Sequence, residues 1–204
     1  MSAVEQLLFD GATHTYTVGS TTLPSVTEII RPLVDYAAIP AIVLENARQK
    51  GDAIHYAIRL GHENDLDIST LHDAIVPRYE AWLKFQQDTG FLLDGHEQPM
   101  CSRIYNYAGT PDFWGSMNNE HWIVDIKPNS LLKWYPVQLS GYQQLIRENV
   151  GMKTRRATLR LMDDGNYKFL PYQRNDDAVD FSVFNSCLQL LNWRIRNECY
   201  KRND

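Results

Sequence analysis

The 204-residue chain is predicted to adopt a mixed α/β or α+β fold, a central mixed sheet flanked by helices with a helical N-terminal portion. Three observations predict it. Helical patterning with start and stop signals dominates up to Gly90. From Phe91 onward, short β-rich runs alternate with turn residues. An amphipathic stretch then closes the chain. The length suits one domain with a well-buried core. It divides into an N-terminal hairpin and helices (1–90), a sheet with a crossing helix (91–175) and a C-terminal helix (176–204).

Leu7–Phe9, His14–Val18 and Thr21–Leu23 read as short strands, with Asp10-Gly11 and Gly19-Ser20 as the turns between them. Ser25 and Glu28 form a capping box that opens a helix through about Val34. A second helix runs from Pro40 or Ala41 to Leu60 and stops at Gly61. A third spans about Leu71–Thr89, with Pro77 marking a break or a fresh start. Leu92–Met100, Ser102–Tyr107, Thr110–Ser116 and Trp122–Ile126 follow as strands, and Val137–Glu148 as a helix. Thr158–Met162 and Tyr167–Pro171 form a hairpin around Asp164-Gly165-Asn166. Asp176–Cys199 is the closing helix, with Phe181, Phe184, Leu188, Leu191 and Ile195 on one stripe.

Composition narrows the class. Hydrophobic residues make up 44% and charged residues 22% of the chain, ordinary for a soluble globular protein. No apolar run reaches bilayer length, and Met1–Gln6 lacks the basic start and apolar stretch of a signal peptide. A cytoplasmic location in a bacterium or phage-infected host, with no membrane partner, is the expectation. Cys101, Cys187 and Cys199 are scattered and odd in number, which suggests neither a zinc site nor a disulfide framework. The net charge of −5 argues against a strongly basic nucleic-acid binder. Charge is nevertheless regional. Arg147, Lys153, Arg155, Arg156 and Arg160 face a single acid, Glu148, and the tail adds Arg194, Arg196, Lys201 and Arg202. Arg103, Lys133 and Arg147 are candidates for contacting a phosphate backbone.

The chemistry concentrates in Gly109-Thr110-Pro111-Asp112 and Ile123-Val124-Asp125-Ile126-Lys127. Asp125 and Lys127 are two residues apart on a strand and so share one face of the sheet. With Asp112 facing them from a neighbouring strand, two carboxylates and an ammonium converge. Two carboxylates suit a hard cation such as Mg²⁺, with Mn²⁺ able to substitute. Lys127 would orient a water or offset charge on a phosphate. An Asp-x-Lys pair on a strand is commonly a surface ion pair. Here, however, Trp122–Ile126 is nearly continuous apolar sequence, as in a strand covered on both faces, where charges are costly unless paired, metal-bound or functional. Gln138 and Tyr142, four apart on the next helix, project from one face toward the strand end. The blander reading makes Tyr142 a core aromatic. His55, inside the second helix, is a competent ligand although a lone helical histidine is often structural. Glu97 offers a further carboxylate.

The ordered series Gly51-x-x-x-His55, Gly109-Thr110-Pro111-Asp112, Asp125-Ile126-Lys127 and Gln138-x-x-x-Tyr142 resembles the RecB-like branch of PD-(D/E)XK nucleases. That branch includes helicase-associated nuclease domains and phage recombination exonucleases. The lead-in from Tyr16 to Thr27 resembles the start of phage members. The similarity covers roughly Thr15–Leu145. It implies a PD-(D/E)XK, restriction-endonuclease-like core with metal binding by His55, Asp112, Asp125 and the carbonyl of Ile126. It also implies a catalytic role for Lys127 and supporting roles for Gln138 and Tyr142. Some relatives hold an iron–sulfur cluster on four cysteines; three scattered cysteines imply none here. Pro128-Asn129 departs from the small polar residues that many relatives carry after the lysine.

The resulting expectation is a Mg²⁺-dependent DNA exonuclease that hydrolyses phosphodiester bonds at linear single- or double-stranded ends in phage or prophage recombination or repair. A recombinase or annealing protein, or a helicase, would be its partner, since the chain has no phosphate-binding helicase motif of its own. A structure-selective endonuclease and a catalytically silent nucleic-acid-binding module are the alternatives. Of the aromatics near the motifs (Tyr105, Tyr107, Phe113, Trp114, Trp134 and Tyr135), some would stack on bases and most would pack.

Overall fold

The computed structural model describes residues 5–35, 39–127 and 132–200; Pro128, Asn129, Lys201 and Arg202 lie outside them. The chain opens with a meander of β1 (Leu7–Asp10), β2 (Thr15–Val18) and β3 (Thr21–Leu23). Helix α1 (Val26–Ile30) follows, and its capping box forms as predicted, with Ser25 Oγ accepting from the Glu28 N–H at 3.0 Å. The helix yields to a 3₁₀ turn at Arg31–Leu33, because Pro32 cannot supply an internal N–H. Helix α2 (Ala41–His62) is a turn's fraction longer than expected. Helix α3 spans Val76–Thr89 and ends on Gly90 in the left-handed region. Pro77 in its first turn begins this helix rather than breaking a longer one, which corrects the expected start at Leu71.

A five-stranded sheet of order β10-β9-β8-β7-β4 forms the centre. It comprises β4 (Leu92–His96), β7 (Phe113–Met117), β8 (Glu120–Ile126), β9 (Thr154–Leu161) and β10 (Tyr167–Pro171). β8 and β9 are parallel, joined through α4 (Tyr135–Asn149), and the other pairs are antiparallel. The mixed sheet flanked by helices is thus as predicted. Three strand assignments are corrected, one of them Thr110–Ser116, whose strand begins only at Phe113. The run Leu92–Met100 is not one strand, because the chain turns at Glu97 (φ 42°) and its N–H bonds to the carbonyls of Pro111 and Asp112. The stretch Ser102–Tyr107 is instead a tight turn between β5 (Met100–Ser102) and β6 (Tyr107–Gly109), closed by Asn106 in the left-handed region. Alternation alone does not reveal these turns, although Gly95 and Pro99 flank the first of them.

Two cores sandwich the sheet. Trp122, Val124 and Ile126 pack with Ile54, Ile58, Trp82 and Phe85 from α2 and α3. Ile123 on the opposite face packs with Leu139, Tyr142 and Leu145 of α4, Ile29 of α1 and Phe184 of α5 (Asp177–Arg196). This double coverage is why Trp122–Ile126 is apolar at nearly every position. It also assigns Asp125, in phase with Ile123, to the α4 side. Of the predicted α5 stripe, Phe184, Leu188 and Leu191 are buried. Ile195 is 38% exposed near the helix end, where little remains to pack against it.

Candidate active site

β8 carries the site at its C-terminal end. Asp125 is 2% exposed, and Lys127 extends the strand by one ladder bond, its N–H donating to the Leu159 carbonyl at 3.0 Å. Lys127 Nζ stands 2.8 Å from Asp125 Oδ2, so the two side chains share a face as their spacing requires. The Lys127 ammonium also lies 5.0 Å from the centre of the Tyr135 ring. Asp112 lies in the bend just before β7, not on a strand as expected. Because Phe113 pairs with Val124, the antiparallel register still carries Asp112 across from Asp125. Its Oδ2 accepts weakly from the Ile126 N–H at 3.4 Å.

α2 delivers His55 from the other layer, with its ring 5.2 Å from that of Phe113. His55 Nε2 is 3.6 Å from Asp112 Oδ2, and Nδ1 is 3.6 Å from Glu97 Oε1. Glu97, the possible further carboxylate, reaches His55 because its backbone is tied to Pro111 and Asp112. Gln138 and Tyr142 are both buried on α4. Tyr142 is more than a core aromatic, because the Asp112 and Asp125 carboxylates lie close enough to act on its phenol, with Gln138 one turn away on the same helix. A glycine is required at 109, where a Cβ would lie 2.8 Å from Tyr142 Cε1 and 2.9 Å from Val26 Cγ2. Nothing comparable holds at Gly51, whose Cβ would meet no atom within 4 Å.

Burial dominates the electrostatics. It pushes the Asp125 carboxyl up to about 7, with Lys127 pulling down against it and Asp112 adding to the rise. Burial would lower Lys127, but Asp125 and Asp112 outweigh it and hold the ammonium above its ordinary range. Burial likewise opposes charge on His55, and Asp112 with Glu97 overcomes it and raises the imidazole. The Tyr142 phenol is driven well up, first by burial and then by the two aspartates.

The donor chemistry fits a hard cation. Glu97, Asp112 and Asp125 offer carboxylate donors and His55 an imidazole, with one ammonium beside them. Asp125 Oδ2 is fully buried without a hydrogen-bond partner among the described residues despite its proximity to Lys127. The groups meet in pairs. Among the described residues no three His, Cys, Asp or Glu side chains are placed to share one ion.

The proposed phosphate contacts divide. Lys133 is exposed immediately before α4. Arg147 lies nine residues beyond Gln138, roughly 13 Å along the helix. The Arg103 guanidinium donates to the Glu5 carbonyl at 3.0 Å and its amide to Glu148. Neither arginine is brought to the carboxylates. Much of the basic stretch is used internally. Arg156 is fully buried against Asp177 and Asp180, and Arg155 pairs with Glu120 over the Trp122 ring. Tyr107, Phe113, Trp114 and Tyr135 are buried, which removes them as base-stacking platforms. Cys101 and Cys187 are buried free thiols and Cys199 is an exposed one.

Sequence reasoning missed Tyr16 and Tyr172 as site residues and named Tyr135 only among the aromatics that would stack or pack. Tyr16 of β2 binds Thr110 Oγ1 at 2.7 Å and so braces the Asp112 bend. Tyr135 lies under Lys127. Tyr172 hydrogen-bonds Thr158, which stands beside Asp125 in the β8–β9 register. Only Tyr16 carried a signal, through its place in the recognised lead-in.

No helix among the described residues is long and apolar enough to cross a membrane. No family model and no curated protein sequence matches the chain. Among solved structures, a protein from Eubacterium rectale named as a candidate exonuclease shares the fold at a TM-score of 0.51 and 13% identity, over 74% of this chain and 69% of that one. The alkaline exonuclease LHK-Exo from Laribacter hongkongensis aligns over 86% of this chain and 92% of its own, at 11% identity and a TM-score of 0.35. Its complex with dAMP aligns over 86% and 90%, at 13% identity and a TM-score of 0.39.

Proposed function

We propose that the protein is a PD-(D/E)XK-type, divalent-metal-dependent DNA exonuclease that hydrolyses phosphodiester bonds at strand ends. The observation that carries this reading is the meeting of Asp112, Asp125 and Lys127, with His55 and Glu97 beside them, at the end of one buried strand. Asp125 is buried with the largely covered Asp112 beside it, and two carboxylates held together out of water are costly unless a cation joins them. His55, Asp112, Asp125 and the Ile126 carbonyl would hold Mg²⁺ or Mn²⁺, which supplies Lewis acidity toward water and phosphate oxygens when bound.

The chain's own residues do the rest. Lys127, kept cationic by its two aspartates, offsets charge that develops on the phosphate. Asp125 fixes the lysine's position. Tyr142 stays neutral and, with Gln138, presents hydrogen-bonding groups beside the aspartates. The products would be a 5′-phosphate and a 3′-hydroxyl. A role in phage or prophage recombination, beside an annealing protein or a helicase, completes the reading.

End-labelled linear DNA and a closed circular plasmid, each with Mg²⁺, Mn²⁺ or EDTA, test it. Metal-dependent loss of linear DNA alone is expected, with Lys127→Ala reducing the rate about 100-fold or more. Cutting of the circle would instead make the protein an endonuclease. Activity that survives both Asp125→Ala and Lys127→Ala would sink the assignment.

A further inference from the structure

Helix α5 is apolar on two sides. Phe184, Cys187, Leu188 and Leu191 turn inward and pack with residues of α1 and α4. Val179, Val183, Leu190 and Trp193 form a second stripe that faces solvent, each between 37% and 62% exposed. With the exposed Ser186 at its midpoint, this stripe advances by four, three, four and three residues. That spacing holds it on one face of the helix for about 21 Å. Single apolar side chains on a surface are ordinary, but an aligned run that includes a tryptophan marks an interface.

The face is complementary to its own reverse. Turned end for end about Ser186, Val179 changes places with Trp193 and Val183 with Leu190, so apolar meets apolar at every level. The flanks match as well. Asp176 at the helix N-cap and Arg194 near its end are eighteen residues apart, five whole turns, and so lie on the same side of the stripe. Ser182 and Gln189, seven residues apart, share the other side. A two-fold axis perpendicular to the helix keeps each flank on its own side. An antiparallel pair therefore sets Asp176 against the copy's Arg194, and Ser182 against the copy's Gln189. A parallel pair would oppose Asp176 to Asp176 and Arg194 to Arg194, like charge against like. Asp176 is exposed, whereas Asp177 and Asp180 are committed inward to Arg156. Arg194 is held in place by the Tyr200 ring of its own chain, 5.1 Å away. The helix has no lysine and begins with acids, which disfavours a DNA strand or an anionic membrane on this face.

We propose that the outer face of α5 is a homodimer interface, in which a second copy of the chain packs its own Val179–Trp193 stripe antiparallel about a two-fold axis beside Ser186. The assignment stands on this face alone, whether or not the carboxylate site is hydrolytic. A single pair of helices buries less than the roughly 1,600 Å² of a standard interface, so a dissociation constant of about 1–100 µM is expected.

Sedimentation velocity of the full chain, from about 1 to 300 µM, tests the association. The mass should climb from 23.6 kDa toward twice that value as concentration rises. Leu190→Glu with Trp193→Glu changes only exposed side chains, so the double variant should keep the melting temperature of the wild-type monomer and associate at least about 30-fold more weakly. Disulfide crosslinking reads the orientation. Helix axes about 8–10 Å apart bring the two Cα atoms beside the axis to about 4–6 Å, within disulfide reach. With the exposed Cys199 replaced by serine, Ser186→Cys should crosslink to its own copy under mild oxidation. Val179→Cys and Trp193→Cys should crosslink when the two proteins are mixed, and neither should do so alone. A mass that stays at 23.6 kDa over the whole range overturns the proposal, even if another protein binds the stripe. So does association undiminished in the double variant, or crosslinking of Val179→Cys to itself as efficient as that of Ser186→Cys, which would mean a parallel pair or random collision.

Discussion

Asp125→Asn should cost the protein its hydrolytic activity and raise its stability, and the structure gives the size of the second effect. Asp125 is 2% exposed, and its carboxyl is raised from an ordinary 3.8 to about 7, chiefly by burial. At about 1.4 kcal/mol per pH unit, ionising it in the folded chain costs up to about 4 kcal/mol. Local relaxation around Lys127 and Asp112 reduces this to about 1–3 kcal/mol. The sign follows from linkage. Below pH 4 the carboxyl is protonated in both folded and unfolded chains, so no difference arises. Between pH 4 and 7 the unfolded chain releases its proton first, and the folded state loses stability as pH rises. Above about pH 7 the loss is complete. Asparagine resembles the protonated carboxyl and cannot ionise, so it escapes this loss. Thermal unfolding in EDTA should therefore show equal melting temperatures near pH 4. At pH 8 the variant should melt about 2–12 °C higher, at about 2–4 °C per kcal/mol for a chain of this size. Adding Mg²⁺ should raise the wild-type melting temperature and leave the variant's nearly unmoved. A variant that melts below wild type at pH 8 in EDTA would refute the reasoning. It would mean that the pairing of Asp125 with Lys127 outweighs the cost of burial.

Three further predictions concern the frame. Gly109→Ala places a methyl 2.8 Å from Tyr142 and 2.9 Å from Val26, and should destabilise by about 1–3 kcal/mol in chemical denaturation. Gly51→Ala meets no atom within 4 Å in the interior of α2 and should stabilise by about 0.5–1 kcal/mol; a loss there would mean that α2 packs more closely than described. Arg156→Met leaves Asp177 and Asp180 without their buried guanidinium and should lower stability by about 3 kcal/mol or more. Adding Asp177→Asn and Asp180→Asn to that variant should recover a large part, and failure to recover would assign the loss to packing.

Sequence and tertiary structure settled different things about this chain. The apolar run Trp122–Ile126 and the two-residue step from Asp125 to Lys127 already determined a doubly covered strand with both charges on one face, because side-chain direction along a strand is local geometry. The capping box at Ser25 and Glu28, the stop at Gly90 and the proximity of Gln138 to Tyr142 on one helix are legible for the same reason. The ordered motifs then assembled the candidate site in outline. What the sequence could not decide depended on partners distant along the chain. Asp112 faces Asp125 through strand register and not through being on a strand itself. Glu97 joins His55 because a left-handed turn ties it to Pro111 and Asp112. The basic stretch that suggested a nucleic-acid surface is largely folded inward, with Arg156 held by acids more than twenty residues away. Local periodicity fixes which way a side chain points. Only the packed chain fixes what it meets, and burial, which sets the cost of each charge, is a property of that packing alone.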